Sequence, residues 1–166
     1  MRDWTNDPMG IHLVKMFDAY WTGTSRGVGR EMDAPGVRRL HRYVQRADLK
    51  AVADVRRMLR DALLQWGAEE LTETAELLTS ELVTNALVHT DDDALFVAVL
   101  TGEGPARRLR VEVRDDTPHR AYLRHPDGFA VSGRGLLLVQ SLADAWGTRA
   151  HGGGKAIWFE LTERPD

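Results

Sequence analysis

The chain has 166 residues, 43% of them hydrophobic, with 22 basic against 25 acidic side chains and a formal charge of −3. That is enough apolar material for one domain with a substantial core and too little for two full ones. A slightly acidic balance without any dense run of Lys and Arg argues against duplex DNA as a partner, and the absence of cysteine excludes disulfides, thiolate metal sites and cysteine nucleophiles.

The first 37 residues differ in composition from the remainder of the chain: Trp4, Phe17, Tyr20 and Trp21 are scattered among Gly23, Gly27, Gly29 and Gly36, with Pro35 near the end. They read as an N-terminal extension to a domain spanning 38–166. Ile11, Val14, Phe17 and Trp21 recur at roughly helical spacing, so the stretch is either a disordered tail or a short amphipathic helix that docks on the body or on a partner. A start at Met9, Met16 or Met32 is a third reading. Asp3, Asn6, Asp7 and Pro8 do not have the layout of a signal peptide and no apolar run reaches the length of a membrane span, so the expected compartment is the cytoplasm.

Leu40 to Gln45 reads as a short strand. Asp48 can then cap a helix that buries Leu49, Val52, Val55, Leu59, Leu63 and Trp66, and Gly67 ends it. A second helix is expected from Glu69 to His89. Within it Glu81, Asn85 and His89 stand four apart and share one face, bordered by Leu77, Leu78, Leu82, Val83, Ala86 and Leu87. Asparagine competes for backbone groups and is a mediocre helix former, so its place in mid-helix suggests a metal ion or a ligand; a satisfied core Asn beside a surface Glu is the plainer alternative.

Ala94 to Leu100 and Arg107 to Asp115 come next as a hairpin across Thr101-Gly102-Glu103-Gly104-Pro105. In the second strand Leu109, Val111 and Val113 alternate with charged residues, so Asp115 continues the buried parity. An inward carboxylate needs donors, and a ligand amino group or the adjoining loop would supply them. Asp116 is a turn residue. Residues 116–132, with two prolines and no periodicity, form a loop of the length reserved for lids. A third helix from Gly135 to Ala143 comes after Ser132-Gly133-Arg134-Gly135-Leu136, whose glycines would let an anion approach backbone amides at a helix start, or simply make a tight turn. Strands at Trp146 to Ala150 and Ala156 to Leu161 close the domain around Gly152-Gly153-Gly154, with Lys155 solvated at a hairpin turn.

In chain order the segments ELVTNALVH (81–89), VEVRDD (111–116), GRGLLLVQSLADAWG (133–147) and GGGKAIWFEL (152–161) resemble the asparagine box and the three glycine boxes of the GHKL ATPase superfamily, which includes DNA gyrase, mismatch-repair ATPases and histidine kinases. The nearer resemblance is to serine kinases of the anti-sigma factor type, over residues 40–162. It implies an α+β fold of the Bergerat type, a two-layer sandwich of three helices on one face of a mixed, mostly antiparallel sheet. It also implies ATP and Mg²⁺ as cofactors, with Asn85 as the metal ligand and Glu81 as general base. Asp115 would accept the adenine amino group. Gly133, Arg134, Gly135 and Leu136 would line the phosphates, and His89 and Lys155 would complete the nucleotide site.

Two departures from that pattern stand out. The glycines usual two and four residues after the aspartate are Thr117 and His119 here, and the threonine usual after the last glycine box is replaced by Lys155-Ala156. The resemblance implies phosphoryl transfer to a serine of an anti-anti-sigma protein, sequestration of a sigma factor, or both, and a homodimer. The alternatives are a nucleotide-gated binding module with little turnover, and an ATPase whose acceptor is water.

Overall fold

Apolar residues alternate with charged ones in the C-terminal strands, and this alternation builds one six-stranded sheet. A computed structural model describes residues 28–34, 36–48, 50–90, 93–116 and 133–164; the helical pattern of Ile11 to Trp21 and the side chain of Leu49 lie outside the described residues. The strands are β1 (Val28–Ala34), β2 (Val37–Val44), β3 (Ala94–Thr101), β4 (Arg108–Asp115), β5 (Ala145–His151) and β6 (Gly154–Thr162), in the order β1-β2-β3-β4-β6-β5. Strand β1 thus lies inside the stretch whose composition reads as an extension. Among the described residues three α-helices accompany it: α1 (Ala51–Gln65), α2 (Thr72–His89) and α3 (Gly133–Leu142).

Every described ladder is antiparallel, so the expected mixed character is corrected. The reason is in the connections. Between β2 and β3 the chain runs through two helices, out along α1 and back along α2, and re-enters the sheet at the end it left, with Val44 opposite Ala94. Phe96, Ala98 and Leu100, Val111 and Val113, and Ile157, Phe159 and Leu161 face the helices and form one core with Val55, Leu59, Leu63, Leu78, Leu82 and Val139. Residues of the other parity, Leu95, Val97 and Val99, make a separate cluster with Val37 and Tyr43.

The ends of α1 arise from local chemistry. Asp48 Oδ1 accepts the Lys50 N–H at 3.0 Å and the Asp48 carbonyl accepts the Ala51 N–H at 3.0 Å, so Asp48 supports the first turn from two residues before its cap. At the other end Gly67 takes φ +70°, which lets Gly67 N–H reach Leu64 O at 3.1 Å and Ala68 N–H reach Leu63 O at 2.9 Å, a Schellman closure. Arg38 and Arg107 each donate to the Trp66 carbonyl, at 2.9 and 2.8 Å. The second helix begins later than its sequence pattern suggests, because Glu69–Leu71 forms a separate 3-10 turn.

Opposite the helices, the charged residues of β4 are buried rather than solvated. Glu112 Oε1 accepts from Arg114 Nε at 2.7 Å and Arg149 Nη2 at 2.6 Å, and Arg110 Nη2 lies 3.5 Å from its Oε2. Arg110 also donates to Glu160 at 2.9 Å and sits 4.0 Å over the Trp158 ring. Burial pushes the Glu112 carboxyl up, but Arg114, Arg149 and Arg110 together overcome it and hold the group below its ordinary value of 4.5. A depressed carboxyl contributes stability that is present above the unfolded-state value and is lost as pH falls through the folded one.

Glu112→Gln is therefore expected to lower stability at pH 7 by about 3 kcal/mol, since it leaves buried guanidiniums without their counter-charge. The deficit should shrink as pH drops below about 4.5, where wild type loses the same contribution. Urea unfolding at pH 7 and pH 3.5 checks it; a deficit that does not narrow on acidification would contradict the assignment.

Candidate functional site

Topology brings the four sequence motifs to one end of the sheet. The C-terminal turn of α2, which carries Asn85 and His89, is four residues from the start of β3, and Leu95 near that start pairs with Arg114 near the end of β4. Asp115 closes β4 opposite Lys155, near the start of β6. The chain leaves α3 at the far end, since Ala145 of β5 pairs with Glu160 late in β6. A helix of ten residues rises about 15 Å, so the N-terminus of α3 points back to the end that holds Asp115. The second helix packs against α3, β4 and β6.

On α2, Asn85 is 8% exposed and sits among the buried Leu82, Val83 and Ala86, whereas Glu81 is half-buried. Leu77, which the helical pattern puts on the apolar border, is 40% exposed, because it falls outside the stripe that meets the sheet. The Asn85 side chain offers a carbonyl oxygen, an acceptor that a metal ion or a ligand can use. Among the described residues no cluster of three or more His, Asp or Glu side chains could hold a metal by itself. A single oxygen ligand nevertheless fits Mg²⁺, which keeps several waters and is commonly shared between a few protein ligands and substrate phosphates. The side chain of His89 lies outside the described residues.

Asp115 is buried, as its parity requires, and its Oδ2 accepts from Lys155 Nζ at 2.5 Å; each side chain is 2% exposed. Solvated Lys155 is thus corrected: it shares the inward parity of Ile157, Phe159 and Leu161, a signal present in the sequence but outweighed by the adjacent glycines. The glycine turn itself is as expected, with Gly152 at φ +55° and His151 pairing with Gly154. Gly154 has a different function. A Cβ there would lie 2.0 Å from the Asp115 carbonyl oxygen and 2.7 Å from Asp116 Cα, so only glycine lets β6 pass the end of β4.

The third helix starts at Gly133 and not at Gly135, so both glycines fall in its first turn, where backbone N–H groups lack helical acceptors. Gly135 is buried, and the Leu136 side chain belongs to the core, which leaves only its backbone available to an anion. The surroundings of Gly133, the Arg134 side chain, the Ser132 cap and residues 117–132 of the expected lid lie outside the described residues; Asp116, the first residue of the 116–132 loop, is an exposed bend.

A family model described as the histidine kinase-like ATPase domain matches residues 45–161, a span that includes all four motifs. No curated protein matches the chain.

The two neighbouring turn glycines should respond differently to substitution. Gly154→Ala is expected to cost about 3 kcal/mol, since the clash is with backbone that cannot swing aside. Gly153→Ala, with nothing within 4 Å of its Cβ, should stay within about 0.5 kcal/mol of wild type. Thermal or urea unfolding of the two variants measures the contrast, and equal effects would show that the approach of β6 to Asp115 is not a constraint.

Proposed function

The chain belongs to the histidine kinase-like ATPase family, and on that premise we propose that it binds Mg·ATP at the end of the sheet where α2, β4, β6 and α3 meet, and transfers the γ-phosphate to a serine of an anti-anti-sigma protein. The observation that carries this reading is the convergence of the asparagine stripe, the Asp115 strand end and the glycine start of α3 at one end of the sheet. Phosphoryl transfer needs positioning and charge stabilisation more than covalent chemistry, and these elements supply both.

In this reading Asn85 holds Mg²⁺ through its side-chain oxygen, and the backbone N–H groups at Gly133, Gly135 and Leu136 receive phosphate oxygens with the positive end of the helix behind them. The metal, when bound, neutralises charge on the phosphates. Arg134 and His89 add contacts to the nucleotide. Asp115, together with Lys155, meets the base. Glu81, half-exposed at the edge of the helix layer, takes the proton of the attacking hydroxyl.

Phosphorylation of the partner, sequestration of a sigma factor, or both would make the protein a regulator of transcription, working in the cytoplasm and as a homodimer. No helix among the described residues is long and apolar enough to cross a membrane. A second reading, a nucleotide-gated binding module with little turnover, is favoured by one observation: Thr117 and His119 stand where the resembling kinases have glycines. A plain ATPase with water as acceptor is a third.

Binding and chemistry separate at Glu81. Glu81→Ala should bind Mg·ATP within about threefold of wild type, yet lose about 10² to 10⁴ in transfer rate, because a general base acts on the acceptor and not on bound nucleotide. The assay tracks labelled γ-phosphate into an anti-anti-sigma protein shown to bind, with free phosphate measured in parallel. If wild type neither labels the bound partner nor releases phosphate above the variant, the binding module is the correct reading. Phosphate release without labelling, abolished in Glu81→Ala, identifies the ATPase.

Asn85→Ala tests the metal. Its affinity for ATP should fall about tenfold in Mg²⁺ and match wild type in EDTA. A defect of equal size in both conditions would assign Asn85 to packing.

A further inference from the structure

The Lys155–Asp115 pair alters what the carboxylate can recognise. An ionised carboxylate accepts hydrogen bonds and donates none. Standing alone in a base site, it accepts from the 6-amino group of adenine and repels the 6-oxo group of guanine or hypoxanthine. An ammonium has three donors and no acceptor. In this chain Nζ lies 2.5 Å from Oδ2, the two residues are directly opposite in the β4–β6 ladder, and both side chains are 2% exposed, so water screens neither charge. The ammonium therefore competes with a 6-amino group for the carboxylate and cancels the repulsion that a 6-oxo group would meet.

We propose that Lys155 is a specificity-determining residue of the base site, which lowers the preference for 6-amino over 6-oxo purine nucleotides. The inference rests on the nucleotide-binding reading above. A purely structural ion pair joining β4 to β6 would affect stability, and affinity for all nucleotides alike; it would leave the ratio between them unmoved. The ratio is thus the readout.

Dissociation constants for Mg·ATP, Mg·GTP and Mg·ITP are measured by titration calorimetry on the full chain at pH 8. Wild type is expected to prefer ATP over GTP and ITP by less than about tenfold, and Lys155→Thr to raise that preference by about tenfold or more. Lys155→Arg, which keeps a cationic donor, should retain the wild-type ratio. A wild-type preference above about tenfold, or a Lys155→Thr ratio that rises by less, overturns the inference while leaving ATP binding in place. Should Lys155→Thr not fold, as judged by circular dichroism, Lys155→Gln takes its place, with the same rise expected and the same smaller rise overturning the inference. Absence of any nucleotide binding by wild type is a different outcome, for it removes the nucleotide reading itself and the inference with it.

Discussion

The pairing of β4 with β6 sets the positions on which the rest of the domain depends. Its register places Val111 opposite Phe159 and Val113 opposite Ile157 under the helices, and Arg110 opposite Glu160 and Glu112 opposite Trp158 on the other side. Side chains alternate with a period of two, so a slip of one residue would turn the charged set into the helix core and expel the apolar one. Gly154 permits the pairing to continue to the strand end, because no Cβ fits against the Asp115 carbonyl. One ladder thereby fixes the core, the Glu112 cluster and the Asp115–Lys155 pair.

Each face of that ladder holds a buried carboxylate, and the two are satisfied in different ways. Glu112 has three guanidiniums around it, from strands β4 and β5. Asp115 accepts from an ammonium of the opposite strand, on the face against which α2 packs. Burying such ions carries a desolvation cost that close pairing has to offset, and removing one partner is more damaging than replacing both. The Glu112 cluster lies on the face of the sheet away from α1, α2 and α3; the Asp115 pair stands at the end of the sheet where the motifs converge.

The proposed chemistry draws more on backbone than on side chains. Amides at the start of α3, one carbonyl oxygen at Asn85 and one carboxylate at Glu81 are all that phosphoryl transfer would require of the described residues. Such a site depends on the relative placement of elements. The helix pair between β2 and β3 returns the chain to the end it left, and α3 runs back from the far end, so the positions come from connectivity and not from any local sequence signal.

Much of this was legible in the sequence. Three helices, the inward parity of Asp115, the glycine turn before β6 and the glycines opening α3 all stem from periodicity and from the conformational freedom of glycine, which act over a few residues. Other features were decided only by the tertiary structure. Strand β1 has little hydrophobic alternation and exists by pairing with β2. The Glu112 cluster assembles residues from β4, β5 and β6 that no local pattern connects. Lys155 reads as a solvated turn residue because charge beside glycines usually is, and it becomes buried because the ladder sets it against an inward carboxylate. Local sequence determines which face a residue can take, but the partner it meets there is set by strands that approach from elsewhere in the chain.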